Sequence, residues 1–520
     1  MVPTGAPSVA DAPLPAGPCS ATPAGLGTLQ GDGPTGTPHR GRRRPDQEDQ
    51  VASSATMLVE PDVVEATLAR ALARGGEFAE VFVEDRRSTA ISLDDRRVEE
   101  LSSGRDRGAG IRVVVGDTTG FAHTADLSPS GLLAAAEAAS AVARSGGPGP
   151  RPVALEGRHV PSPNRVDLLP ETVEKARKVA LLTRADQAAR AAGGAVGQVT
   201  AGYGDSRRRI LVANSDGVLV EDDQVRSRLS VMCVATGDTG LHTGYDSLAH
   251  TVGFELFDRH AAEDVAAEAA RRALVKLKAR PAPSGVLPVV IKSGTGGILF
   301  HEACGHGLEA DHIAKDASVY TGRLGDRVAS PLVTLVDDGT VTDEWGTAAV
   351  DDEGRPTQRN VLIQDGVLTD YLWDHLRARK ERRASSGNGR RQSYRHLPMV
   401  RMTNTYLLAG DAEPDDLVAS TPRGIYVAQL GGGQVNTATG DFVFGMVEAY
   451  LIEDGRITEP LRDANLIGNG PDVLHKIDGV ANDFDMCPGT CGKDGQSVPV
   501  GCGQPTLRIS GVTIGGTAGA

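Results

Sequence analysis

The sequence is poor in cysteine and in positive charge, and each shortage excludes a class of protein. Six cysteines in 520 residues are too few and too unevenly spaced for a disulfide-built scaffold, so we expect a reducing compartment. The formal net charge of −14 argues against a nucleic-acid binder that relies on a general electrostatic surface. Aromatic residues are also scarce at 4%, whereas 64 glycines and 30 prolines indicate many turns.

Long apolar runs are absent as well. No stretch reaches the roughly 18 uninterrupted apolar residues of a membrane span. The first residues carry neither the basic region nor the apolar region of a secretory signal, so we expect a cytoplasmic protein. The apolar fraction of 40% is that of a soluble globular chain, and 520 residues exceed one ordinary core, which predicts two domains.

Composition and helix-breaking residues divide the chain into three segments. Residues 1–56 hold nine of the 30 prolines, and we expect this tail to be disordered because it cannot bury enough apolar area. An N-terminal domain is predicted for residues 57–280, which end before the prolines at Pro281 and Pro283. A C-terminal domain is predicted for residues 281–520.

The hydrophobic patterns predict an α+β fold with two different halves. In the first half, helical periodicity alternates with short strands, which indicates a sandwich-like α/β domain. Ser128 before Pro129 predicts a helix start, and Asn214–Gly217 predicts a hairpin turn. The second half contains mostly strand and turn patterns and predicts a β-rich, barrel-like antiparallel sheet. Its one important helix lies between residues 297 and 311.

That helix contains the stretch HEACGHGLEAD, in which His301, Glu302 and His306 are spaced one residue wider than in the zinc-peptidase pattern His-Glu-x-x-His. Residues five apart on an ideal α-helix point about 140° away from each other, so the two histidines could not bind one ion from it. A π-type bulge or a break is therefore predicted, and Gly305 makes that deformation easy. Two histidines hydrogen-bonded to backbone at a helix end are the alternative, but the adjacent glutamate and glycines favour a metal site.

The residues alone leave the third metal ligand open. Glu302 would be placed to accept the proton of an attacking water, as in zincins, but a catalytic zinc needs three protein ligands. Glu309 and Asp311 follow the helix closely, and a distant cysteine is the other option. A cluster near the C-terminus offers three such cysteines, which could instead form a separate structural zinc site: Cys487, Cys491 and Cys502. Cys233 and Cys304 lie in apolar contexts and are predicted to be buried.

Two further segments are candidates for contact with a peptide. A glycine run inside a strand pattern would suit an extended peptide that adds as an extra strand, although a bulge explains it equally well: Gly431, Gly432 and Gly433. A polar, basic and aromatic segment could hold substrate carbonyls or a carboxylate, or could form a subunit interface. Its candidate residues are Asn388, Arg390 and Tyr394.

Four motifs together resemble the TldD branch of the TldD/PmbA family of metallopeptidases. In chain order they are HEACGHGLEAD, SSGNGRRQSYRHLPMVRMTNTY, LGGGQVNTATGDFVF and CGKDGQSVPVGCGQPTLRISGVTIGGT. The resemblance covers residues 57–520 and leaves out only the N-terminal tail.

The resemblance implies a cytoplasmic zinc endopeptidase that acts on unfolded or short peptides, in complex with a PmbA (TldE)-type subunit lacking the metal motif. Carried onto this chain, His301 and His306 resemble the two histidine ligands. Glu302 then resembles the catalytic base, and Cys491 of CGKDGQ the third ligand. Two rival functions are a catalytically silent binding subunit and a non-proteolytic regulator of a DNA-associated enzyme. The intact motif argues against the first, and the acidic charge argues against direct nucleic-acid contact in the second.

Overall fold

The computed structural model describes residues 57–142 and 152–517, and these form two halves built around separate sheets. The tail predicted to be disordered, residues 1–56, lies outside the described residues. None of the described helices is long and apolar enough to cross a membrane. The α+β architecture predicted from the sequence is confirmed, including a barrel in the C-terminal half.

The first half is a seven-stranded sheet with helices packed on it. Its strands are β1 (Phe78–Asp94), β2 (Arg97–Val115), β3 (Thr118–Thr124), β4 (Glu156–Arg158), β5 (Val196–Asn214), β6 (Val218–Gly237) and β7 (Gly240–His250). They lie in the order β3-β2-β1-β5-β6-β4, with β7 also paired to β6. Its helices are α1 (Pro61–Leu72), α2 (Pro129–Val142), α3 (Lys175–Ala191), α4 (Leu256–Arg259) and α5 (Ala262–Lys276), with a 3-10 turn at Pro170–Thr172. The pair α1 and α2 covers one end of the long strands, and α3 and α5 cover the other.

These strands are longer than predicted. The sequence pattern predicts separate strands at residues 79–85 and 88–95, but β1 runs unbroken through Arg86 and Arg87. Because β1 pairs along its length with β2 on one side and β5 on the other, its polar middle has its backbone hydrogen bonds satisfied. The local pattern does not contain this information, since the partner strand β5 lies more than 100 residues away.

Two local predictions in this half are confirmed. Helix α2 begins at Pro129, and the Ser128 hydroxyl caps it by accepting a hydrogen bond from the Gly131 amide at 3.2 Å. The hairpin between β5 and β6 turns at Asn214, whose side-chain oxygen accepts a hydrogen bond from the Asp216 amide at 3.0 Å. Short-range chemistry therefore predicts these boundaries well.

The second half contains the remaining strands and short helices. Its strands are β8 (Arg280–Pro281), β9 (Gly285–Ile291), β10 (Leu335–Asp338), β11 (Arg359–Gln364), β12 (Val367–Leu368), β13 (Gly389–Arg390), β14 (Met399–Val400), β15 (Asn404–Leu407), β16 (Arg423–Val435), β17 (Asp441–Glu453), β18 (Arg456–Arg462), β19 (Asn465–Asn469), β20 (Ile477–Val480), β21 (Asp485–Lys493), β22 (Gln496–Gln504) and β23 (Leu507–Gly515). Its helices are α6 (Gly297–Phe300), α7 (Ala310–Ile313), α8 (His375–Lys380), α9 (Pro414–Ala419) and α10 (Gly470–His475). Strand β8 pairs with β18 of this half, and the domain boundary at residue 280 stays a prediction.

Five of these strands close into a barrel. The order is β16-β9-β23-β19-β17, and β17 pairs back onto β16. All of these pairs are antiparallel except β16 with β9, which is parallel and departs from the predicted antiparallel sheet. Parallel neighbours need a long crossover, and residues 292–422 supply it. This crossover contains the histidine motif and most of a second sheet, ordered β12-β11-β10-β15-β22-β21.

Buried ion pairs join the two halves. Arg112 of β2 donates to Glu80 of β1 and to Glu353 of the second half, both at 2.7 Å, and Arg391 also donates to Glu80. All four side chains are almost fully buried. Removing one partner of such a group leaves an unpaired buried charge, which typically costs about 3–5 kcal/mol. The relative position of the halves is therefore strongly specified, including that of the residues beside the histidine motif.

Candidate metal centre

The helix that carries the histidines is deformed as predicted. After α6, residues His301–Gly305 form a π-helical turn, in which the His306 amide donates to the His301 carbonyl five residues earlier. A 3-10 turn, His306–Leu308, follows. The wider turn rotates His306 toward His301, so that the ring centroids lie 5.1 Å apart with their planes nearly perpendicular.

Gly305 permits this turn for a reason other than the predicted one. Its φ of −53° is an ordinary helical value that any residue adopts. A Cβ atom at this position would lie 2.1 Å from the Met402 sulfur. The glycine is therefore needed for space, because Met402 packs directly against the backbone beside His306.

Cys491 reaches the two histidines from strand β21, the edge strand of the second sheet. Its sulfur lies 3.4 Å from His306 Nε2, and donor atoms of His301, His306 and Cys491 all lie within 4.8 Å of one another. All three side chains are buried. Among the described residues only one other group of this kind occurs, formed by Glu309, Asp311 and His312.

The three donors fit a zinc ion. Two imidazoles and a thiolate are ligands that zinc prefers, and two such donors on a tetrahedral zinc lie about 3.5 Å apart, close to the observed 3.4 Å. Both ring nitrogens of His301 are buried and make no hydrogen bond to any described residue. Such a pair of unsatisfied nitrogens is unfavourable in a protein interior unless a ligand compensates it.

The charges of the three donors are coupled. Burial alone would raise the pKa of Cys491, but the adjacent His301 and His306 hold it well below its usual range. Burial alone would lower the pKa of His306, but Glu309 and the Cys491 thiolate raise it well above its usual range. These shifts favour the Cys491 thiolate, which is the form that binds a metal, and a protonated His306, which would release its proton on binding one.

Glu309 contacts the Nδ1 side of the His306 ring, and Lys493 binds Glu309. Glu309 Oε2 lies 3.0 Å from His306 Nδ1 and accepts a hydrogen bond from Lys493 Nζ at 2.9 Å. Lys493 Nζ also donates to Asp311 at 2.7 Å. An ammonium group thus already pairs with both carboxylates that the sequence left open as third ligands. Their geometry fits orientation of His306, with Nδ1 facing Glu309 and Nε2 facing Cys491.

Replacing Glu309 by glutamine is expected to weaken metal binding about 10- to 100-fold, because an amide neither fixes the His306 ring as strongly nor pairs with Lys493. Competition with a chromogenic chelator on the folded protein measures the affinity. The matched control is Glu60→Gln, since Glu60 lies at the exposed start of α1, far from the site in the fold. Unchanged affinity in Glu309→Gln would show that Glu309 does not orient the ligand.

Glu302 and the glycine run share a cavity beside the metal donors. The cavity has a volume of about 50 Å³ and is lined by His301, Glu302, Gly431 and Gly432, together with strand β21 residues near Thr490. Glu302 is 23% exposed, and its carboxylate lies 3.9 Å from His306 Nε2. Glu302 is therefore the carboxylate beside the three donor residues that solvent can reach.

Comparisons with known proteins assign the chain to a family. Family models described as PmbA/TldA metallopeptidase domain 1, central domain and C-terminal domain match residues 79–143, 168–277 and 284–516. The chain belongs to the PmbA/TldD family of metallopeptidases.

Individual relatives in this family match over most of their length. A metalloprotease TldD homolog from Haemophilus influenzae is 42% identical over 85% of this chain and 94% of that protein. A protein named zinc metalloprotease TldD homolog, from Saccharolobus solfataricus, is 32% identical over 56% of this chain and 66% of that protein. The chain is accordingly a metallopeptidase.

Solved structures share the fold of the PmbA/TldD family. TldE from Thermococcus kodakarensis has a TM-score of 0.70 with 20% identity, covering 87% of this chain and 99% of that one. A structure from Thermotoga maritima, described as a modulator of a DNA gyrase, has a TM-score of 0.73 with 22% identity, covering 87% and 99%. At these identities the comparison shows the fold alone.

In this PmbA/TldD chain, three other residues that were predicted to contact the substrate make contacts within the protein. Gly433 lies against the Phe444 ring, and the register between β16 and β17 shifts across the glycine run, so a bulge is present there. The Asn388 amide is buried and donates to Asp337 and to the Arg401 carbonyl. Tyr394 is buried and packs over Gly108 of β2. These contacts are internal, and a substrate role for Asn388, Tyr394 and Gly433 stays a prediction.

The other four cysteines within the described residues are separate from the three donor residues. Cys487 and Cys502 face each other across the β21–β22 hairpin, and they form no metal-binding group with Cys491 among the described residues. Cys233 and Cys304 are buried, as predicted, and burial raises the pKa of each thiol to about 12. Sequence reasoning missed Lys493, although its spacing of two from Cys491 on a strand signals the same face.

Proposed function

We propose that this chain is a zinc-dependent endopeptidase in which His301, His306 and Cys491 hold the metal and Glu302 is the general base. The observation that carries the proposal is the convergence of these three donors within 4.8 Å, with the accessible Glu302 carboxylate beside them. The name of the Saccharolobus relative supports zinc.

Each residue has a distinct chemical part in this proposal. Zinc held by the three donors would supply Lewis-acid chemistry, polarising a peptide carbonyl and making water more acidic. Glu302 accepts the proton of the attacking water and passes it to the leaving amine. Glu309 holds His306 in the orientation that presents Nε2 to the site.

The proposed substrate is an unfolded or short peptide. The cavity at Glu302 lies between barrel strand β16 and the β21–β22 hairpin, and its volume of about 50 Å³ is too small to receive a folded surface. Gly431 and Gly432 present backbone without side chains at its wall, which supports contact with a substrate main chain.

A TldE-type subunit is the proposed partner, and the cytoplasm the proposed location. Support for the partner comes from the family and from the shared fold with TldE of Thermococcus kodakarensis. The rival function as a DNA-gyrase modulator has support only from the description of structures that share the fold. We favour the peptidase because this chain retains a complete set of catalytic groups.

Metal analysis combined with peptide cleavage tests the proposal. The purified chain, alone and co-expressed with a TldE-type subunit, is expected to contain about one zinc per chain and to cleave unstructured peptides at internal bonds. A strong chelator should abolish cleavage, and added zinc should restore it, because the donors fit that ion. A folded complex with stoichiometric zinc that cleaves no peptide from a diverse library would contradict the proposed function.

A further inference from the structure

A second cavity, of about 290 Å³, lies between the two halves and is rich in arginine. We call it the arginine pocket, and the arginines that line it are Arg86, Arg208, Arg226, Arg228, Arg390 and Arg391. Two carboxylates, Asp205 and Asp352, also line it. In a chain with a net charge of −14, such an excess of positive charge is local and specific.

The two carboxylates of the arginine pocket are already paired. Asp205 accepts hydrogen bonds from Lys178 Nζ and from the Tyr203 hydroxyl, both at 2.6 Å. Asp352 accepts hydrogen bonds from Arg208 and from the Arg391 backbone amide, both at 2.8 Å. Each carboxylate therefore already has a cationic partner within hydrogen-bond distance.

Three arginines of the pocket form no ion pair with a carboxylate among the described residues: Arg226, Arg228 and Arg390. Arg226 donates to two backbone carbonyls and to the neutral Gln224 side chain. Arg228 donates to the Tyr245 hydroxyl at 2.8 Å, and Arg390 donates to two backbone carbonyls. Carboxylates act on two of them only at longer range: Asp222 and Asp352 on Arg226, and Asp352 and Asp337 on Arg390.

Burial makes this excess charge unfavourable. Burial together with the neighbouring Arg390 and Arg208 lowers the pKa of Arg226 to about 9. Burial is likewise the main cause that lowers the pKa of Arg390 to about 10. Guanidinium groups stay charged at neutral pH, so the downward direction of both shifts indicates charges that a nearby anion would stabilise.

The pocket also has unused hydrogen-bond donors. Arg208 Nη2 and Arg391 Nη1 are buried and have no hydrogen-bond partner among the described residues. A guanidinium matches a carboxylate through two parallel N–H donors, which is why arginine dominates carboxylate recognition. The donors without a partner and the local excess of guanidinium groups thus indicate the same class of ligand.

The arginine pocket adjoins the cavity at the metal centre. Thr490, the residue before Cys491 on β21, lines both the arginine pocket and the cavity that contains His301 and Glu302. A third cavity, of about 20 Å³, shares Arg228 and Trp345 with the arginine pocket and Pro488 and Gly489 with the cavity at Glu302. An extended peptide that lies along this part of β21 would therefore reach both sites.

We propose that the arginine pocket is a carboxylate-binding subsite, which anchors a peptide by its C-terminal carboxylate or by an acidic side chain while a bond a short distance away lies at Glu302. This inference rests on the proposed peptidase function and adds a substrate class to it. A negatively charged anchor then sets the position of the cleaved bond along the peptide.

Paired peptides test the subsite by binding, which requires no turnover. Fluorescence anisotropy on the full chain carrying Glu302→Gln, in its complex where one forms, compares a neutral peptide ending in a free carboxylate with its C-terminal amide. A second pair is amidated and differs by one internal glutamate or glutamine. We expect about tenfold tighter binding of the charged member of at least one pair, because charge-assisted hydrogen bonds are the strong ones. The pair that responds identifies the source of the carboxylate.

Variants locate the effect in the pocket. Arg228→Gln should remove the difference in affinity between the charged and the neutral member of the responding pair, and Arg228→Lys should retain part of it. The matched control is Arg87→Gln, because Arg87 is exposed and points away from Arg86 on β1. Equal binding within both pairs would overturn the inference, as would a preference that persists in Arg228→Gln. A failure of all cleavage by the wild type with the preference intact would overturn only the proposed function.

Discussion

A chain in which Cys491 is replaced by serine is expected to lose zinc and peptide cleavage together. The Cys491 sulfur lies 3.4 Å from His306 Nε2, and a hydroxyl at this place is a much poorer zinc ligand than a thiolate. Loss of an outer-sphere partner alone typically weakens metal binding about 10- to 100-fold, so loss of a direct ligand should exceed about 100-fold. Zinc content after dialysis against a weak chelator measures the effect.

Cys487→Ser is the matched control for this substitution. Cys487 lies on the same strand, four residues earlier, is also buried, and belongs to no group of metal donors among the described residues. We expect it to retain zinc. If Cys491→Ser kept full zinc content, sulfur ligation would be wrong and the third ligand would have to be sought elsewhere.

Replacing Glu302 by glutamine is expected to separate cleavage from metal binding. Glu302 is not among the three converging donors, but its carboxylate lies beside them in the accessible cavity. Removal of a general base typically lowers the rate about 10²- to 10⁴-fold, so kcat for a reporter peptide should fall by that amount. Zinc content and the thermal unfolding midpoint should stay close to those of the wild type.

The zinc measurement is the internal control for Glu302→Gln. A loss of cleavage accompanied by loss of zinc would place Glu302 among the ligands instead of the bases. Cleavage at the wild-type rate with zinc retained would exclude Glu302 as the base and would leave the proposed chemistry without a proton acceptor.

The sequence predicted those features of the fold and site that depend on neighbours along the chain. The spacing of His301 and His306 predicted a π-type turn, and a π-helical turn is present from His301 to Gly305. The cap at Ser128 was predicted in the same way, from residues that interact over a few positions. The α+β class and the barrel followed from strand and turn patterns, and they are confirmed.

Features that depend on contacts between residues far apart in the sequence could not be predicted from local patterns. The parallel contact of β16 with β9 joins strands separated by a long crossover, and the local pattern of either strand carries no sign of it. Residues alone left the third ligand open between Glu309, Asp311 and the cysteines. The structure brings Cys491 to the histidines across 185 positions and turns Glu309 toward Lys493.

The arginine pocket likewise depends on contacts between residues far apart in the sequence. Arg226 and Arg228 alternate on β6 and so share a face, which a reader of the sequence could have noted. Their meeting with Arg390 and Arg391 depends on how the two halves dock, through buried pairs such as Arg112 with Glu353. A binding site between two halves is therefore visible only once both are placed.

X-ray absorption at the zinc edge tests the central claim most directly, because it reports the atoms bound to the metal. For the purified wild-type chain we expect one sulfur at about 2.3 Å and nitrogen or oxygen neighbours at about 2.0 Å, including two imidazoles. The sulfur contribution should persist in Glu302→Gln and disappear in Cys491→Ser. A first shell of nitrogen and oxygen only, or one with two or more sulfurs, would contradict a site built from His301, His306 and Cys491.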